Sequence, residues 1–230
     1  MFARLLGLRR QDIVAGFIIR APRAERLCAR VRRSFRYDGW RAAPRMARHA
    51  IRQILKTGPR NSEALFRLHG VPIYRFGNPN APECVSALKK LTPDIILNNQ
   101  PWIIKSEVLA IPKIASLNRH TGALPDYRGL EPVFYALLDG AQRIGVVVHS
   151  MTTDIDAGDV VAERFVAASK SVFDCYDRAF AVSAELYDEA INMAVERRTL
   201  RTIDAARSPY YTRPNGEAVR SFRASNLRYL

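Results

Sequence analysis

Apolar residues fall along this chain in short β-branched runs that end in polar residues, alternating with stretches of helical spacing. DIILNN (94–99), IASLN (114–118), IGVVVHS (144–150) and DVVAERF (159–165) read as strands, the first two as buried runs that empty onto loops. QDIVAGFIIR (11–20) and VPIYRF (71–76) read as two more. Helices are expected at ARLLGL, at SEALFRLHG closed by Gly70, at PECVSALKK with its C-terminal lysines, and at the short SEVLAIP. EPVFYALLDG opens with Glu131 and Pro132 and stops at Gly140. SVFDCYDRAFAVSAELYDEAINMAV is long and amphipathic, with Phe173, Tyr176, Phe180, Leu186 and Met193 as core positions. MARHAIRQILKTG (46–58) reads as a helix ended by Gly58-Pro59, and a last helix starts near Glu217. Strand alternating with helix predicts an α/β domain with a mostly parallel sheet and helices on both faces.

Candidate chemistry collects between Leu117 and Val161. Asn118 and His120, one residue apart at a strand end, project to the same side. In open α/β sheets ligands sit beyond the carboxyl ends of the strands, so polar groups there carry weight that mid-strand groups lack. After IGVVVHS, the turn TTDIDAGD delivers Asp154, Asp156 and Gly158. An Asn amide and an imidazole can both donate to a carbonyl oxygen that becomes an oxyanion, one such donor being worth roughly 3–4 kcal/mol of barrier. A His held by a carboxylate, directly or through water, can take the proton that an attacking amine sheds. Ser116 and Thr121 have no His–Asp relay and no Cys lies in the stretch, so direct amine attack is favoured over an acyl-enzyme. Singly, Asn-x-His is ordinary loop chemistry and the aspartates with Gly158 an ordinary turn; the combination points to a site. His149 reads as a buried supporting residue, and His69 as a cation near a helix C-terminus.

Length and cysteine usage narrow the class. A chain of 230 residues suits one α/β domain with a short appendage. Cys28, Cys84 and Cys175 are odd in number and lack metal spacing, which predicts a reduced, cytoplasmic protein without structural disulfides. No apolar run approaches the roughly 18 residues of a membrane span, and the first residues lack the long apolar core of a secretory signal. The formal charge of +14 is concentrated: residues 1–60 hold 16 Lys and Arg against Asp12, Glu25 and Asp38, a net +13. This segment reads as a solvated helix face, a patch for phosphate-bearing substrate or nucleic acid, or a membrane-surface contact.

Asn118-x-His120, Leu124-Pro125, Tyr127-Arg128-Gly129 and Pro132, followed by Gly145, His149, Asp154, Asp156 and Gly158, resemble the folate-dependent formyltransferase family. The resemblance runs from about Ile13 to Arg198 and is strongest between Asp94 and Val161. It implies a Rossmann-like fold, a catalytic domain over residues 1–200, a short tail over 201–230, and transfer of a formyl group from 10-formyltetrahydrofolate to a primary amine. By resemblance, Asn118 and His120 polarise the formyl group, and Asp156 positions water and the imidazole for proton removal. Pro101, Trp102, Ile103, Ile104, Thr152, Thr153 and Asp154 would form the pterin pocket. Tyr127 and Arg128 would border the amine substrate, and no metal is implied.

Two features depart from that pattern. Gly122 stands where Ser is common, and little effect on the chemistry is expected. The family's opening strand and Gly-rich loop, which often receives a substrate phosphate, have no counterpart before ARLLGL. A start downstream of the natural one is the favoured explanation, because loss of an interior strand would leave backbone groups unpaired beside the site; the alternative is a shortened member with a partly open pocket. Because the family handles phosphorylated substrates, the basic segment is expected to serve a phosphate-bearing amine. The favoured acceptor is an amino sugar on a nucleotide, then glycinamide ribonucleotide, then initiator tRNA, since the chain has no room for the barrel that methionyl-tRNA formyltransferase adds. Nucleic acid is thus disfavoured as a partner, self-association stays open, and a non-catalytic folate- or phosphate-binding relative is the competing reading.

Overall fold

The computed structural model describes residues 1–19, 23–44, 46–47 and 62–230, with side chains from Val31 onward in the second stretch. Helix α1 (Phe2–Arg9) leads to strand β1 (Gly16–Ile19), α2 (Arg23–Asp38), α3 (Ser62–Leu68), β2 (Ile73–Phe76), α4 (Pro82–Leu91), β3 (Ile95–Asn98), α5 (Ser106–Leu109) and β4 (Ala115–His120). Then come β5 (Arg128–Gly129), α6 (Pro132–Leu138), β6 (Arg143–Ser150), β7 (Val160–Ala167), α7 (Val172–Val195), β8 (Tyr210–Tyr211) and α8 (Gly216–Ala224). The expected helix over 46–58 lies almost entirely outside the described residues. Helix α2 falls in the basic segment, for which a solvated helix face is one of the readings.

The fold is α/β and Rossmann-like, as the alternation of elements predicts. Strand β1 pairs in parallel with β2, and β3 in parallel with β4. Beyond β4 the sheet turns antiparallel, through β6 and then β7. Residues 151–159 join β6 to β7, a connection long enough for antiparallel neighbours and too short for a parallel crossover.

Core packing explains why these runs become strands. Val146, Val147 and Val148 are fully buried, the signature of a strand covered on both faces. Val146 and Val148 pack with Leu117 against Leu186, Tyr187 and Ala190 of α7. Val147 faces the other way, onto Leu124, Val160 and Ile203. Helix α7 is opened by Ser171, whose hydroxyl accepts from Asp174 N at 3.2 Å, a standard N-cap. The two ladders share their covering helices. Helix α1 sends Leu5 into the core beside β3 and Leu6 into the core beside β1, and α4 packs on Phe17 and Ile19 of β1 as well as Ile96 of β3.

Part of the basic segment serves the fold. The Tyr37 ring stacks on Tyr229 at 4.4 Å, and Asp38 accepts from Tyr229 N and Leu230 N at 2.9 and 3.0 Å. Arg36 donates to Pro214 O at 2.6 Å, and Arg33 faces Glu131 at 3.4 Å. Helix α2 therefore seats the C-terminus, while Arg32, Phe35, Trp40 and Arg41 remain exposed. No helix among the described residues is long and apolar enough to cross a membrane.

Candidate active site

The register of the sheet brings the candidate side chains together. Asn98 lies opposite Asn118 across the β3–β4 ladder, and Asn118 lies opposite His149 across β4–β6. Asn98 Nδ2 donates to Asn118 Oδ1 at 3.0 Å, which fixes the amide so that Asn118 Nδ2 faces His149 Nε2 at 3.2 Å. His149 Nδ1 lies 2.8 Å from Ser150 O, which can only accept, so Nδ1 carries a proton, and Nε2 stands between Asn118 Nδ2 and the Asp156 carboxylate. One N–H of Asn118 remains for a ligand.

Asp156 reaches this row from the loop after β6. Its Oδ2 lies 3.3 Å from His120 Nδ1 and its Oδ1 lies 3.4 Å from His149 Nε2, so one carboxylate serves two imidazoles. Gly129 N donates to the same carboxylate at 3.0 Å. His120 Nε2 donates to Tyr127 O at 2.7 Å. His120 and His149 are 7% and 2% exposed, so the group acts in a dry environment where its charges are strongly felt.

The electrostatics keep both Asp156 and His120 unprotonated at neutral pH. Burial alone would raise the Asp156 carboxyl, but His149, His120 and the Gly129 N–H outweigh it and hold the group below the usual carboxylate range. Burial pulls His120 below the ordinary imidazole range, against the opposing pull of Asp156.

The other expected residues are distributed around this row. Thr152, Thr153 and Asp154 are exposed on the loop that ends in Asp156, with Thr152 Oγ1 donating to Asp154 O at 3.0 Å. Pro101, Trp102 and Ile103 are exposed, and Ile104 packs on Cys84, Val85 and Val108. Asn80 staples that loop, donating to Ile103 O at 2.9 Å and accepting from Lys105 N at 2.8 Å. Tyr127 stacks on Tyr211 at 5.9 Å, and burial, with Asp139 adding to it, pushes its hydroxyl up to about 12. Arg128 is buried, with its guanidinium on the carbonyls of Ile155, Asp156 and Ala205.

Three features were out of reach of the sequence reading. Asn98 and Asn80 have no motif around them, and only the ladder or a loop crossing places them. Strands β5 and β8 are two residues each, below the length at which a pattern can be read. Gly122 matters more than expected: a Cβ there would lie 2.9 Å from His120 Nε2 and 2.7 Å from Pro132 Cβ, so the imidazole occupies the space a serine would need. Among the described residues no group of three or more His, Cys, Asp or Glu is arranged to hold a metal ion.

Residues 59–191 match the family described as Formyl transferase. Methionyl-tRNA formyltransferase of Clostridioides difficile is 28% identical over 144 residues, which cover 61% of this chain and 44% of that protein. The bifunctional polymyxin resistance protein ArnA of Wigglesworthia glossinidia brevipalpis is 32% identical over 126 residues, 51% of this chain and 19% of that one. The chain thus spans less than half the length of these curated relatives. Among solved structures, glycinamide ribonucleotide transformylase 1 from Symbiobacterium toebii aligns with a TM-score of 0.52 at 25% identity, covering 61% of this chain and 74% of that one. A sugar N-formyltransferase from a Shewanella species aligns with a TM-score of 0.54 at 15% identity, over 74% and 72%, a likeness of fold alone.

Proposed function

The chain belongs to the formyl transferase family, and from that premise we propose that it moves a formyl group from 10-formyltetrahydrofolate to a primary amine, with an amino sugar on a nucleotide as acceptor. The observation that carries this reading is the convergence of Asn118, His120 and Asp156 on one dry point at the ends of β4 and β6. The free N–H of Asn118 faces the formyl oxygen as it becomes an oxyanion. His120 joins it by exchanging its bond to Tyr127 O for one to the same oxygen. Asp156, set between two imidazoles, positions the imidazole and water that take the proton the amine loses as its C–N bond forms; that proton passes to the donor nitrogen as its bond to the formyl carbon breaks, and tetrahydrofolate departs. The exposed loops at 101–104 and 152–154 are the candidate pterin contacts, offering Trp102 and Ile103 as an apolar wall. Tyr127 borders the acceptor. A phosphate on that acceptor suits the exposed cations of the basic segment, Arg32 and Arg41 among them, and salt would then raise the amine KM.

The engaged state of His120 Nε2 is the one observation that favours a binding-only relative. An amine panel that includes nucleotide-linked amino sugars, glycinamide ribonucleotide and methionyl-tRNA, supplied with the folate donor, separates the two readings. Turnover of any one amine supports the transferase; tight folate binding with no turnover on the whole panel would replace it with the binding module.

A further inference from the structure

We propose that Arg128, braced by the segment from Arg201 to Tyr211, is a positioning residue that aims the Asp156 carboxylate, and that it does not hold the amine. The inference rests on the reading of the site as a formyltransferase.

Arg128 is 6% exposed, and each of its three guanidinium nitrogens donates to a main-chain carbonyl. Nε reaches Asp156 O at 3.1 Å and Ile155 O at 3.3 Å, Nη2 reaches Ile155 O at 3.0 Å, and Nη1 reaches Ala205 O at 2.7 Å. A planar fork is suited to spanning several acceptors at fixed angles, which a lysine ammonium is not. The carbonyls it grips belong to a loop in an unusual conformation. Asp156 has φ of +50°, a left-handed backbone that a residue with a Cβ keeps only where its surroundings impose it. Two residues on, a Cβ at Gly158 would lie 1.9 Å from Ser150 O, so the loop passes hard against the end of β6 with no slack on that side.

The brace comes from the tail. Leu130 N donates to Tyr211 O at 2.8 Å, and that oxygen lies 2.2 Å from where a Cβ of Gly129 would stand, so β8 presses on the residue after Arg128. Gly129 N in turn donates to Asp156 Oδ2. Arg201 ties the same segment to the motif loop, through Leu124 O at 2.7 Å, and to β7, through Val160 N to Arg201 O at 2.9 Å. Force on the tail therefore reaches the carboxylate by two short routes, the guanidinium and the Gly129 amide.

The test uses the full chain carrying Arg128→Ala or Arg128→Lys, with 10-formyltetrahydrofolate and an amine that the unaltered chain turns over. Both variants are expected to lose on the order of 100-fold in kcat, the scale of a small misplacement of a reacting group, with the amine KM unchanged. The acid limb of the kcat profile moves to higher pH, because a carboxylate freed from Gly129 N and the imidazoles takes up a proton more readily. Deuterium exchange at the Gly129 amide accelerates, and added guanidinium ion restores part of the kcat of Arg128→Ala. A raised amine KM with unchanged kcat would overturn the proposal and make Arg128 a substrate contact. If the alanine variant does not fold, Arg128→Lys decides: unchanged kcat and unchanged Gly129 exchange would sink it. If the unaltered chain transfers formyl to no amine, the reading of the reaction fails, while Gly129 exchange still reports whether Arg128 holds the loop.

Discussion

In the β1–β2 ladder only Gly16 is fully buried, whereas six consecutive residues of β6, from Ile144 to His149, are closed off from solvent. The first ladder has two strands and carries none of the site residues. The second has four, and its two central strands, β4 and β6, supply Asn118, His120 and His149. A side chain on a strand laddered on both sides and packed on both faces has few alternatives open to it. The difference teaches that Asn118 and His120 stand on a strand laddered on both sides, while Asp156 is delivered by the loop after β6 and the small ladder carries none of the three.

Perturbing each region should give opposite signatures. Asp156→Asn removes the carboxylate that positions the proton acceptor, and kcat should fall by about 10²–10⁴-fold, far more than the modest loss of stability that accompanies it explains. Asn118→Ala removes an oxyanion donor and should cost about 10²–10³-fold, read in the same assay. In the core of the large sheet, Leu117→Ala should destabilise by about 2–5 kcal/mol in denaturant unfolding, since Leu117 is fully buried. Gly122→Ser should lower kcat by up to about 100-fold, because its Cβ would displace His120; wild-type activity in that variant would refute the tight fit. On the small ladder, Ile18→Val should cost only about 0.5–1.5 kcal/mol and leave kcat intact. Loss of catalysis there would break the comparison.

The same contrast predicts a pH dependence. Folding lowers the pKa of His120, so below its ordinary value of 6.5 the unfolded chain binds the proton more readily than the folded one. The stability linked to this group is full above about pH 6.5 and is lost as pH falls toward the folded value. Asp156 acts with the same sign lower down, its contribution present above 3.8 and lost as pH falls through its depressed value. Thermal unfolding between pH 7 and 5 should therefore show a falling Tm that His120→Gln flattens.

Legibility from sequence followed length and periodicity. Strands β3, β4, β6 and β7 and helix α7 were readable because burial on both faces, or along one stripe, leaves an apolar signature. The reading of Asn118, His120 and Asp156 as a group came from strand ends plus a motif, and the coordinates bring the three together. The antiparallel turn of the sheet after β4 left no trace in the pattern, because alternation of apolar and polar residues does not encode strand direction. Asn80, Asn98 and the tail strand β8 were invisible for a related reason: each matters through a partner far away along the chain.

What the amino-acid sequence determined by itself was local: which stretches bury apolar surface, where they stop, and that an amide and an imidazole leave one strand end on the same side. Only the tertiary structure decided that Asn98 turns the Asn118 amide toward His149, that Arg128 grips the Asp156 loop, and that Gly122 yields its space to His120. Those outcomes depend on distances between segments tens of residues apart, which are set when the sheet closes and the tail folds back over it.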